Sequence, residues 1–179
     1  MSVLYLQSGH DDLPGHGQLP AAIQAAVAAG RVTGVPQPQL DAATLLAHRG
    51  LITGNLLDQD ALLALAPALA AFLDRGGRWV FNGHLLRPLV AGLAPYQTIA
   101  NPRRPDFDLR VVQPHPVFAG IDVPELETNK GVAGFYGRGC NPPPVGAVVL
   151  NTLGTPGVAV DWVWHRPAGS TSIRPVFWC

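Results

Sequence analysis

Gly76-Gly77-Arg78-Trp79-Val80-Phe81-Asn82-Gly83-His84 is the stretch whose reading decides the fold. Two glycines stop a preceding helix. Four largely apolar residues then read as a buried strand. Gly83 allows a sharp turn, and the turn presents His84 at the strand's carboxyl end. In an α/β sheet that end is where ligands and nucleophiles sit. Enzymes that use such an elbow place Ser or Cys at its apex, whereas this chain places a histidine there.

Upstream, Asp58 is a plausible N-cap for a helix from Gln59 to Arg75 whose Leu62, Leu65, Leu69, Phe72 and Leu73 recur at helical spacing. Pro67 lies inside that pattern and should kink or split it. Further back, Gly50–Gly54 reads as a strand and Asp41 as the cap of a short helix through Ala47. Val32–Val35 reads as a strand, Ala21–Ala29 as a helix closed by Gly30, and Val3–Gln7 as a strand at the start. Downstream, a short helical segment is expected from Leu85 towards Leu93. The remainder is rich in proline, with strands expected at Leu109–Gln113, Val145–Leu150, Gly157–Trp164 and Ile173–Trp178. The alternation of strand and helix followed by strands alone predicts an α/β fold. Its sheet is open and mainly parallel, with helices on both faces and added strands in the C-terminal third.

The composition narrows the class. The 179 residues suit one domain spanning 1–179, with 47% apolar and only 13% charged residues. Twelve acids balance twelve bases and no basic tract occurs, which argues against nucleic acid as a partner. No apolar run approaches a membrane span and the first residues lack a leader pattern, so no membrane partner and a cytoplasmic location are expected. Low charge beside many apolar residues points towards a homo-oligomer. Cys140 and Cys179 form no CxxC pair.

The order of these segments resembles the class I glutamine-amidotransferase-like superfamily, and within it the trehalose-utilisation (ThuA-like) branch. Four pieces carry the likeness: Leu51-Ile52-Thr53-Gly54-Asn55; Leu69 to Gly77; the turn Trp79-Val80-Phe81-Asn82-Gly83-His84, where that branch carries His in place of the amidotransferase Cys; and His115-Pro116-Val117-Phe118-Ala119-Gly120-Ile121. The resemblance implies a flavodoxin-like three-layer sandwich. It does not imply a glutaminase reaction, because the elbow Cys is absent and the late His165 is followed by Arg166-Pro167 rather than by a His-x-Glu pattern. The Asp-Glu motif that often follows the His-Pro segment in the branch is also missing; Glu125-Leu126-Glu127 stands nearby without matching it.

Candidate chemistry gathers at the strand ends. His84 suits a general base, a metal ligand or a hydrogen-bonding group, or simply fills an inherited turn. His10, with Asp11, Asp12 and His16, follows the first strand, and these residue types suit zinc or manganese or a solvated loop. No cofactor motif is present, so a divalent metal is the only ion the residue types invite. Asn55 and Asp58 overlook the same crevice, and Arg87 is placed either to receive an anion or to form a surface ion pair. The glycine-rich stretch Gly131–Cys140, with Tyr136, Arg138 and Cys140, reads as a binding loop or an oligomer contact. No phosphate loop and no Gly-x-Ser-x-Gly occurs. These readings predict a domain that binds a small polar ligand or serves assembly, its site collecting His10, Asn55, His84 and the Gly131–Cys140 loop. The alternative is a hydrolase or isomerase acting on a polar, carbohydrate-like substrate through His84. Thiol chemistry at Cys140 is a third reading.

Overall fold

The structure, a computed structural model, describes residues 2–9, 21–128, 132, 134, 136–166 and 176–178. In chain order the elements are β1 (Val3–Gln7), α1 (Ala21–Ala28), β2 (Val32–Pro36), α2 (Ala42–Ala47), β3 (Gly50–Thr53), α3 (Gln59–Leu63), α4 (Ala66–Asp74) and β4 (Arg78–Asn82). They continue with β5 (Gln97–Thr98), β6 (Leu109–Val111), α5 (Val123–Thr128), β7 (Gly139–Cys140), β8 (Val148–Leu153), β9 (Val158–Val163) and β10 (Val176–Trp178).

Local chemistry sets the helix ends. The Asp41 carboxylate accepts the Thr44 N–H at 2.7 Å, and Asp58 accepts the Ala61 N–H at 3.0 Å. Each satisfies one orphan donor of a first turn, worth about 1 kcal/mol. Pro67 splits the expected Gln59–Arg75 helix and occupies the first turn of α4, where its missing N–H costs nothing. Gly76, at φ +99°, turns the chain out of α4 while Gly77 donates back to the Phe72 carbonyl at 2.9 Å. Arg75 reaches across to the Leu46 and His48 carbonyls at the end of α2 and so ties the two helices together.

The strands form an eight-stranded sheet in the order β2-β1-β3-β4-β10-β9-β8-β6, and β5 pairs with β7 apart from it. β2, β1, β3, β4 and β10 run parallel; β9, β8 and β6 continue antiparallel. The expectation of an α/β fold with a parallel core and added C-terminal strands holds. Register lines up Leu4, Leu51 and Trp79 on one row and Leu6, Thr53 and Phe81 on the next. This face is covered by Leu45 of α2, Leu62 of α3, and Leu69, Phe72 and Leu73 of α4, in a single buried cluster. The Trp79 indole N–H donates to the buried Thr53 hydroxyl at 2.9 Å, which satisfies that donor, whereas the Trp164 indole N–H of the same cluster is buried without a partner among the described residues. A second, smaller cluster joins Leu150 and Val163 to Val80, Val117 and Phe118.

Two expectations need correction. Leu85–Leu93 is not helical. Pro88 removes a donor and pushes Arg87 away from helical backbone angles, and the segment instead lays Leu85, Leu89, Val90 and Leu93 into the main cluster as an irregular chain. The strand expected at Val145–Leu150 begins three residues later, as β8, and runs into Asn151 and Thr152; Val145 is 98% exposed. Among the described residues no helix is long and apolar enough to cross a membrane.

Candidate functional site

Because β2, β1, β3 and β4 are parallel, their carboxyl ends share one rim. The chain leaves β1 towards β2 on one side and later returns to β3 on the other. Connections that diverge in this way leave a crevice at the rim. A cleft of about 1090 Å³ occupies it, reached by Gly9 after β1, Gln37 after β2, Asn55 after β3 and His84 after β4. Leu40, Leu57, Leu62, Leu65 and Leu86 make its wall largely apolar.

Most polar groups along the cleft are already engaged. The Gln37 amide exchanges two hydrogen bonds with the Asp58 backbone, at 2.6 and 3.0 Å. One Asp58 oxygen caps α3. Gln59 grips the loop beyond β4, donating to the His84 carbonyl at 2.7 Å and accepting the N–H groups of Leu86 and Arg87 at 2.7 and 3.1 Å. Asn55 and His84 differ from these: among the described residues neither side chain has a hydrogen-bond partner, and both are exposed to the cleft.

The pair is positioned by backbone packing. Gly83 lies so close to Asn55 that a Cβ there would sit 2.2 Å from the Asn55 amide oxygen and 3.2 Å from its Cα, so a larger residue would push the Asn55 side chain aside. Leu56, the next residue along, holds φ +65°, rare for an L-residue with a bulky side chain, and leaves that side chain 63% exposed on the cleft. Strained backbone of this kind gathers at ligand sites. His84 itself is not strained; the turn is carried by Gly83. Its imidazole stacks on Tyr96, with ring centroids 3.8 Å apart and planes inclined by 20°. Partial burial holds its pKa below the ordinary histidine value, so near neutral pH the ring is uncharged and offers one donor and one acceptor.

The other expected site residues lie elsewhere. Arg87 forms a two-pronged ion pair with Asp60, at 2.6 and 3.2 Å, and this pair raises the pKa of its guanidinium. Of the two uses expected for it, the surface ion pair is the one formed. Tyr136, Arg138 and Cys140 do not line the cleft. Tyr136 donates to Asp161 at 2.6 Å, Arg138 lies over the Phe107 ring at 5.4 Å, and Cys140 belongs to β7, where burial raises its thiol pKa. His10, Asp11, Asp12 and His16 lie outside the described residues, as does Cys179. Among the described residues no three His, Cys, Asp or Glu side chains come together as metal ligands.

Two residues that sequence reasoning passed over shape the site. One is Gln59. The other is Asn141, buried, whose amide accepts the Leu85 N–H at 3.1 Å and donates to the Leu85 and Ala94 carbonyls at 3.0 and 3.1 Å. Together with backbone bonds such as Tyr96 N–H to the Leu85 carbonyl, these two amides hold the irregular chain that carries His84. Neither residue stands in a motif; each acts across 25 or more positions of sequence.

No protein-family model and no curated protein matches the chain. Among solved structures it is similar to one described as "mmIFT52 N-terminal domain", at 10% identity and a TM-score of 0.49, over 98% of this chain and 84% of that one.

Proposed function

We propose that this chain is a small-molecule-binding domain whose ligand lies in the cleft at the carboxyl ends of β1–β4, and that it has no glutaminase activity. One observation carries the reading: Asn55 and His84 are polar, exposed to a largely apolar cleft, and without hydrogen-bond partners among the described residues. The other lining polar side chains, Gln37, Asp58 and Gln59, each hydrogen-bond within the fold, so among the described residues these two are the ones left over for a guest. The fold is read as flavodoxin-like, since the order β2-β1-β3-β4 is the start of that arrangement. The amidotransferase-like resemblance supports the same placement, with His84 standing where a glutaminase would need its thiol. The rival reading, a hydrolase or isomerase with His84 as base, calls for a second group to orient the imidazole. Tyr96 orients the ring only by stacking.

The test uses Nile red, a neutral apolar dye. Its fluorescence should rise and shift to the blue with the purified protein. Ala61→Trp, which fills the cleft from α3, should abolish the change, and His84→Ala should leave it largely intact. Equal dye binding by the Ala61→Trp variant would remove the cleft from consideration. Release of ammonia from glutamine by the wild-type protein would overturn the non-glutaminase reading.

A further inference from the structure

We infer that the cleft takes an uncharged ligand that presents a carboxamide or lactam edge from an apolar or aromatic body, and that Asn55 and His84 read that edge. This rests on the cleft being the binding site, as proposed above.

Charge supplies the first argument. Among the described residues that line the cleft there is no Lys or Arg. The nearby Arg87 is held outside it by both oxygens of Asp60. Among the described residues the one lining carboxylate, Asp58, spends an oxygen on the first turn of α3. A phosphate or carboxylate ligand would therefore lose its hydration, meet no cation among the described lining residues, and face a negative group. A cation would find only a carboxylate already engaged in a cap.

Hydrogen-bond complementarity supplies the second argument. A carboxamide side chain and a neutral imidazole each offer a donor beside an acceptor. The group that answers both has a donor and an acceptor on one edge and no net charge. Primary amides, lactams and neutral heteroaromatic rings have that pattern; carboxylates lack the donor and ammonium groups lack the acceptor. The walls supply the third argument. Leu40, Leu57, Leu62 and Leu65, with the exposed Leu56, favour an apolar or flat body behind that edge.

Three nearly isosteric probes separate the possibilities: benzamide, benzoate and benzamidine, titrated into ¹⁵N-labelled protein and followed by amide shifts. Benzamide should move resonances of the Asn55–Leu57 and Gly83–Leu86 segments and bind at least about tenfold more tightly than benzoate or benzamidine. His84→Ala and Asn55→Ala should each weaken benzamide about fivefold or more and leave benzoate unchanged. Tighter binding of benzoate or of benzamidine would overturn the inference. So would benzamide binding that neither substitution weakens. If none of the three binds while Nile red still does, the edge-reading role is wrong and the cleft reading survives. If Nile red also fails, the cleft reading itself is at fault.

Discussion

The two halves of the sheet treat polar side chains in opposite ways. On the parallel side, Asn55 and His84 stand exposed at the strand ends with no hydrogen-bond partner among the described residues. On the antiparallel side, Asp161 of β9 is fully buried, and one of its oxygens accepts the Tyr136 hydroxyl at 2.6 Å and the Asn151 amide at 2.7 Å. Its other oxygen is buried without a partner among the described residues. Burial lifts the Asp161 pKa to about 6, and the two hydrogen bonds only partly oppose that rise. The first arrangement costs the fold little and is available to a guest. The second costs the fold something and holds the Tyr136 segment against β9. Being unusual for its surroundings is therefore a poor guide to being functional; what separates the two sites is whether a group has solvent, space and unused bonding capacity beside it.

The sharpest way to break that contrast is to remove an internal polar partner. Asn141→Ala leaves the buried Leu85 N–H and the half-buried Ala94 carbonyl without these partners, and the Leu85 carbonyl with only the Tyr96 N–H at 2.7 Å, and should cost about 2–3 kcal/mol in urea unfolding. Asp161→Asn should act through pH. A buried acid with a raised pKa binds its proton more tightly folded than unfolded. Its contribution is thus fully present below about pH 3.8 and is lost as pH rises through about 6. At about 1.4 kcal/mol per pH unit the loss approaches about 3 kcal/mol. The difference in stability between wild type and Asp161→Asn should follow that curve between pH 4 and pH 7 and be flat above it. A flat difference throughout would show that the carboxyl is not desolvated as described.

Gln59→Ala should cost about 1–2 kcal/mol, since its three partners are close enough to the surface for water to replace it. It should also broaden the His84 and Leu86 amide resonances. The smallest effect belongs to the cleft itself. His84→Ala and Asn55→Ala should each change stability by less than about 0.5 kcal/mol while lowering ligand affinity. A large loss of stability from either would move that residue into the structural group and end the contrast.

Sequence legibility follows the range of the interactions. Caps, stops and breaks were readable because they act within a few residues: Asp41 bonds Thr44, Asp58 bonds Ala61, Gly76 turns the end of α4, and Pro67 divides α3 from α4. With them came β1 to β4 and the crevice holding Asn55 and His84. The unreadable parts depend on partners far away. Leu85–Leu93 has helical composition, yet Pro88 interrupts it and the amides of Gln59 and Asn141 take over its backbone. The shift of β8 has a similar origin. Asn151 is polar and looked like the end of a strand, but ten residues later Asp161 gives it a buried partner. The Gly131–Cys140 stretch reads as a binding loop or an oligomer contact from its glycines, and nothing near Tyr136 in sequence reveals that its hydroxyl is engaged by β9.

The outer strands of the large sheet have a consequence for self-association. β2 ends in Pro36, which has no N–H to offer, and β6 is only three residues long, with Arg110 and Val111 turned to solvent. A second polypeptide seeking to extend the hydrogen-bonded ladder would lack the donor at Pro36 on one flank, and on the other would meet a short strand carrying the Arg110 charge. Both features disfavour the joining of two copies by growth of the pleat.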